Sequence, residues 1–178
     1  MREKKNRLFV AVNLPEKTKN GIAAFLESIP KDGWGKVRQE NLHITLCFLG
    51  WIEESKLNEI KTELEKLSGF GEFEMELNGF GHFDGRVLWI GIGKGAEELN
   101  ALSKKTGKLL GAIDERFHAH ITLARNKGAK RKYAAEIIEK LRKTAYREKI
   151  IVKSIDLMES RLQTIGPVYR KLFEASLT

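Results

Sequence analysis

The tetrapeptide His43-Ile44-Thr45-Leu46 occurs a second time as His120-Ile121-Thr122-Leu123, 77 residues further along the chain. With four histidines and eight threonines in 178 positions, chance gives a His-x-Thr roughly 0.2 times, so two copies sharing all four residues mark an internal structural repeat. Alternate residues of a strand face opposite sides, which puts His and Thr of each copy on one face and Ile and Leu on the other. The apolar pair can anchor its strand on the helices. The His-Thr pair is left to line a surface, and halves related by a pseudo-twofold axis would bring both pairs to one cleft between lobes.

The rest of the chain supports two such halves. Residues 7–13 (RLFVAVN) read as a strand, and a helix follows Pro15, with Ile22, Ala23, Phe25, Leu26 and Ile29 at helical spacing until Pro30. Gly33 and Gly35 place Trp34 in a loop, and residues 42–49 (LHITLCFL) form a strand that Gly50 ends. Residues 53–67 predict an amphipathic helix with Leu57, Ile60, Leu64 and Leu67 on one stripe. Residues 70–83 and 87–92 predict a hairpin, and 96–113 a helix that Gly107 weakens by about 1 kcal/mol. A strand over 119–125, a helix over 133–141, and closing strands over 150–157 and 168–177 joined through Gly166-Pro167 complete the pattern. Helices alternating with hairpin-connected strands favour α+β over a doubly wound parallel sheet.

Two imidazoles across a cleft suit in-line displacement at phosphorus. One, as base, takes a proton from attacking water, and the other, as acid, protonates the leaving oxygen on the far side. The hydroxyls of Thr45 and Thr122 would hold the non-bridging oxygens, and no cofactor or metal is required. The motifs His43-Ile-Thr45-Leu and His120-Ile-Thr122-Leu-Ala-Arg125 resemble the paired H-x-T-x motifs of the 2H phosphoesterase superfamily, in particular its RNA 2′,3′-cyclic phosphodiesterases, also called 2′-5′ RNA ligases. The opening Arg7-Leu-Phe9-Val-Ala-Val-Asn-Leu-Pro15, the segment Val87-Leu-Trp89-Ile-Gly-Ile, and the closing Glu159-Ser-Arg161-Leu and Gly166-Pro167-Val-Tyr169 extend the resemblance over nearly the whole chain. It implies one bilobal α+β domain over 1–178, two pseudo-twofold-related lobes of mainly antiparallel sheet with helices outside and a central cleft. It also implies metal-independent hydrolysis of RNA 2′,3′-cyclic phosphate ends to 2′-phosphate ends, with His43 as proton donor and His120 as proton acceptor. Ala119 departs from the proline usual before the second histidine, at a position that supplies no catalytic group. A substrate-binding role for Arg125 rests on the resemblance, because its parity sets it off the face of His120 and Thr122.

RNA is the expected partner, as tRNA-like fragments or oligonucleotides with cyclic phosphate ends. The net charge of +8 is concentrated at 125–153, where eleven basic residues meet three acidic ones. That segment is either a solvated face with compensating pairs or a landing surface for a polyanion. Trp34, Tyr133 and Tyr169 are candidates to stack on bases, with packing the alternative for each. Two competing functions remain open: a non-catalytic RNA-binding module using 125–153, and a metal-dependent phosphohydrolase built on His43, His118 and His120. Cys47 shares parity with His43 and Thr45 but reads as a small buried filler, and His82 as a solvent-facing turn residue. The single cysteine, the charged start over 1–7 and the lack of an 18-residue apolar run predict a cytoplasmic chain without membrane association, and a monomer is expected.

Overall fold

The computed structural model describes residues 4–164 and 166–178, so the first three residues of the charged start lie outside it. The elements follow in the order β1 (Lys5–Asn13), α1 (Glu16–Ser28), β2 (Trp34–Lys36), β3 (His43–Glu53), α2 (Leu57–Glu65), β4 (Phe73–Phe83), β5 (Val87–Ile92), α3 (Ala96–Leu110), β6 (His120–Asn126), α4 (Lys132–Arg142), β7 (Arg147–Val152), β8 (Ser154–Gln163) and β9 (Gly166–Ser176). They form two antiparallel sheets, β3-β1-β8-β9 and β2-β6-β5-β4-β7. The fold is the expected α+β pair of lobes. Each carries the same unit, β1-α1-β3 in one and β5-α3-β6 in the other, with its motif strand beside the strand that precedes the helix. The motif strands β3 and β6 lie against each other where the two sheets meet.

One apolar core runs under both sheets. Ile44, Leu46, Ile121 and Leu123 are all buried in it, as the alternation of the repeat requires. It also holds Ile22 and Leu26 of α1, Leu99 and Leu102 of α3, and Ile137, Ile138 and Leu141 of α4. Gly107 has a packing reason: a Cβ there would stand 2.9 Å from Ala112 O and Ile113 Cα. The chain leaving α3 through left-handed Gly111 folds back across that bare spot.

Three elements differ from the sequence reading. Trp34 is not a loop residue but begins β2, buried and paired with Asn126 of β6, so it is core and not a platform for bases. β3 does not stop at Gly50; it runs on to Glu53, because Gly50 (φ +74°) sits in a bulge that a residue with a Cβ would strain. The strand expected over 150–157 is two strands in different sheets, β7 and β8, since the chain crosses between lobes at Lys153. The β8–β9 hairpin is clasped by the buried Glu159, whose Oε2 accepts from Arg161 Nε and Arg170 Nε, both at 3.0 Å.

Candidate active site

Each histidine begins its strand and is fixed in the same way. His43 Nδ1 lies 2.6 Å from the carbonyl oxygen of Asn41, and His120 Nδ1 lies 2.6 Å from that of His118. A carbonyl oxygen only accepts, so Nδ1 carries the proton in both rings and Nε2 is the working nitrogen of each neutral imidazole. The Thr45 hydroxyl, 2.9 Å away, donates to His43 Nε2. Among the described residues His120 Nε2 has no protein partner. Aromatic rings hold the imidazoles in place: Phe9 at 5.1 Å and Tyr169 at 5.3 Å from His43, and Phe83 at 4.9 Å from His120.

His43, Thr45, His120 and Thr122 all line one cavity of about 540 Å³ between the lobes. Arg125 lines it too, against its strand parity, and the register explains why. Thr122 pairs with Trp89 and Ala124 with Leu88, so Leu123 is an extra residue on β6 that returns Arg125 to the face of His120. The first motif repeats the device. Thr45 pairs with Ala11 and Cys47 with Val10, so Leu46 is extra, Cys47 turns into the core and Phe48 faces the cavity. Burial pushes the Cys47 thiol up to about 12, which leaves it an inert filler as its burial implies.

The cavity wall carries five cations, Arg7, Lys36, Arg38, Arg125 and Lys127, and no Asp or Glu among the described residues. Sequence reasoning missed Phe48, Arg7, Lys36 and Arg38, and had Lys127 only as one of the basic residues of 125–153. Extending the alignment of the two repeats by two residues, to His-Ile-Thr-Leu-Cys-Phe and His-Ile-Thr-Leu-Ala-Arg, pairs Phe48 with Arg125 and would have found one of them. The basic segment 125–153 meets the cavity only at Arg125 and Lys127. Farther on, Arg131 pairs with Asp84 at 2.9 Å, Lys149 with Glu74 at 3.4 Å, Arg147 with Glu76 at 3.8 Å and Lys153 with Glu72 at 4.0 Å. Four of its eleven basic residues thus face acids, three of them where β7 runs beside β4, and there the segment is a solvated face with compensating pairs. Of the candidate stacking residues Tyr169 lines the cavity, whereas Tyr133 lies on α4 with Lys132 over its ring.

The electrostatics favour neutral imidazoles. Burial lowers His43 from 6.5 to about 4; the bond to Asn41 opposes this, and the charges of His120, Arg125 and Lys19 add to it. Burial also lowers His120, with the His118 carbonyl opposing and the charges of His118 and Arg125 assisting. His118 packs beside Phe83 and Trp89. Among the described residues no group of three His, Cys, Asp or Glu is placed to hold a metal, so the metal reading of His43, His118 and His120 finds no ligand set. His82 is exposed as expected, though on β4 and not in a turn.

Comparison with known proteins returns one consistent kinship. The family model described as the 2′-5′ RNA ligase superfamily matches residues 16–164. A curated RNA 2′,3′-cyclic phosphodiesterase of Archaeoglobus fulgidus is 34% identical over 93% of this chain and 97% of its own length. One from Thermotoga maritima is 31% identical over 94% of each chain. The crystal structure of the Thermus thermophilus protein TT0787 superposes with a TM-score of 0.77 at 30% identity, covering 96% of this chain and 97% of that one.

Proposed function

Because this chain belongs to the 2′-5′ RNA ligase superfamily, we propose that it is an RNA 2′,3′-cyclic phosphodiesterase that opens cyclic phosphate ends to 2′-phosphate ends with His43 and His120 as its acid/base pair. The observation that carries the reading is the pair of imidazoles in one cationic cavity, each with Nδ1 tied to the carbonyl two residues back, so that Nε2, held by the Thr45 hydroxyl in His43 and without a protein partner among the described residues in His120, is the nitrogen that can exchange a proton. In the reaction a water oxygen bonds to phosphorus as His120 Nε2 takes its proton. The bond from phosphorus to O3′ breaks, and His43 Nε2 gives its proton to that oxygen. Thr45, Thr122 and Arg125 hold the phosphoryl oxygens as charge gathers on them.

The surroundings support this division of roles. Phe48 and Tyr169, backed by the buried Phe9, stand on the His43 side and offer rings to the nucleoside that carries O3′, while His120 Nε2, which has no protein partner among the described residues, is left to take the proton of the attacking water. With an RNA 5′-hydroxyl in place of water the same displacement forms a 2′-5′ linkage. The described wall has no Asp or Glu, and the anionic phosphate supplies the counter-charge, so the proton of the acid is taken up with the substrate. Both halves of the cavity come from one chain, so 1–178 works as one unit and a monomer suffices, acting in the cytoplasm.

The test is an RNA oligonucleotide with a 2′,3′-cyclic phosphate end, incubated with and without EDTA. Turnover is expected in both, and His43→Ala and His120→Ala should each lower it by about 100- to 10,000-fold while folding is retained. Loss of activity in EDTA, or near-full activity in a folded histidine variant, would overturn the mechanism. Replacing O3′ by a leaving group that needs no proton should restore much of the rate to His43→Ala and little to His120→Ala. The reverse pattern would exchange their roles.

A further inference from the structure

The cleft face of the first sheet continues past the site just described. β1 alternates regularly, so Asn13, Ala11, Phe9 and Arg7 share one face, and their cross-strand partners on β3 are His43, Thr45, Phe48 and Trp51. Directly opposed residues of an antiparallel pair point to the same side. The row on β3 keeps step because two residues are extra, Leu46 and then Leu49, the second bulge being the one that left-handed Gly50 permits. Trp51 is therefore turned to the cleft side beside Arg7, one cross-strand pair beyond Phe9 and Phe48. It is 64% exposed, and its neighbour on that face, Phe48, is 65% exposed. Arg7 lines the cavity and makes no hydrogen bond or ion pair among the described residues. A solvated indole and an uncompensated guanidinium, continuous with a nucleotide site and about one extended nucleotide step away, match the chemistry of single-stranded RNA.

We propose that Trp51 and Arg7 form a second nucleotide subsite, where the base preceding the cyclic phosphate end stacks on Trp51 and the phosphodiester joining the two nucleotides pairs with Arg7. This rests on the cleft being an RNA-end site, and it makes oligonucleotides, not cyclic mononucleotides, the preferred substrates. The second lobe offers no counterpart, since β6 has only the bulge at Leu123 and ends at Asn126.

Two measurements test it. The first compares kcat/KM for a dinucleotide and a mononucleotide bearing the same cyclic phosphate. Trp51→Ala should lower the ratio of dinucleotide to mononucleotide activity by roughly 5- to 150-fold, the usual worth of one stacked base, and Trp51→Phe should restore most of it. Arg7→Gln should lower the same ratio and flatten its salt dependence. The second measures binding of a dinucleotide that carries a 2′-phosphate to the folded His120→Ala variant, with and without Trp51→Ala, and needs no turnover. An inactive wild-type enzyme would end the catalytic reading while this binding still decides the subsite. An activity ratio unchanged by both substitutions, or an affinity unchanged by Trp51→Ala, would overturn the proposal.

Discussion

Phe48 and Arg125 hold the same place in the two halves of the molecule. Each stands three residues after its motif threonine, and each is returned to the cleft by a bulge at the motif leucine, Leu46 or Leu123. One half thus contributes an aromatic ring where the other contributes a guanidinium, so a symmetric scaffold holds an asymmetric substrate.

That relationship predicts opposite kinetic signatures. Phe48→Ala should mainly raise KM, by about 5- to 150-fold, through lost stacking on the terminal base. Arg125→Ala should mainly lower kcat, because charge on the phosphoryl oxygens grows toward the transition state. Steady-state kinetics on one cyclic-phosphate substrate separates the two, and matching losses in KM alone would count against the role given to Arg125.

The pH dependence follows from the two imidazoles. Burial holds both below the usual 6.5, His43 at about 4. Turnover needs one protonated and one neutral ring, so above the higher of the two values the productive form dwindles. Expected is a kcat/KM with its maximum on the acid side of 6.5 that declines through neutrality, its limbs belonging to the coupled pair. Bound phosphate stabilises the imidazolium, so the kcat profile should sit at higher pH. Profiles for kcat and kcat/KM that coincide would refute this coupling.

Gly81 tests how closely the second lobe is packed around His120. A Cβ at Gly81 would stand 2.2 Å from Cη2 of Trp89, the cross-strand partner whose ring packs on His118. Gly81→Ala should lower stability by about 1 to 3 kcal/mol, with reduced activity. Adding Trp89→Leu, which vacates the space, should recover most of the stability in thermal unfolding; no recovery would place the strain elsewhere.

Salt dependence distinguishes the cleft cations from the basic segment. Each phosphate contact to a single strand contributes about 0.7 to the slope of log affinity against log salt. Lys36→Gln and Lys127→Gln should each reduce that slope, whereas Lys149→Gln and Lys153→Gln, which already face Glu74 and Glu72, should not.

The repeat, the α+β class, most element positions and the buried Ile and Leu of each motif were legible because they rest on periodicity within one strand or helix. The faces of Cys47, Phe48 and Arg125 were not. A bulge is a property of two strands together, and β3 and β6 are set by partners far away in sequence, Val10 for Cys47 and Leu88 for Ala124. Gly50 was read as a stop for the same reason. Lys36 and Arg38 went unnoticed because the cleft gathers its cations from separate segments, while the end of the conspicuous basic run, 147–153, is answered by acids on and beside the neighbouring β4.

β7 ends its sheet, so one side of its backbone offers unpaired N–H and C=O groups to any extended chain. With Ile151 exposed on it, this edge is a template for a second copy of the protein. Arg147, Lys149 and Lys153 alternate outward along the same stretch, each beside a glutamate of the neighbouring strand or the turn before it, and long charged side chains along an edge hinder another strand from docking there. These charged side chains thus guard the edge: replacing the three by uncharged residues should bring aggregation on at lower temperature and concentration.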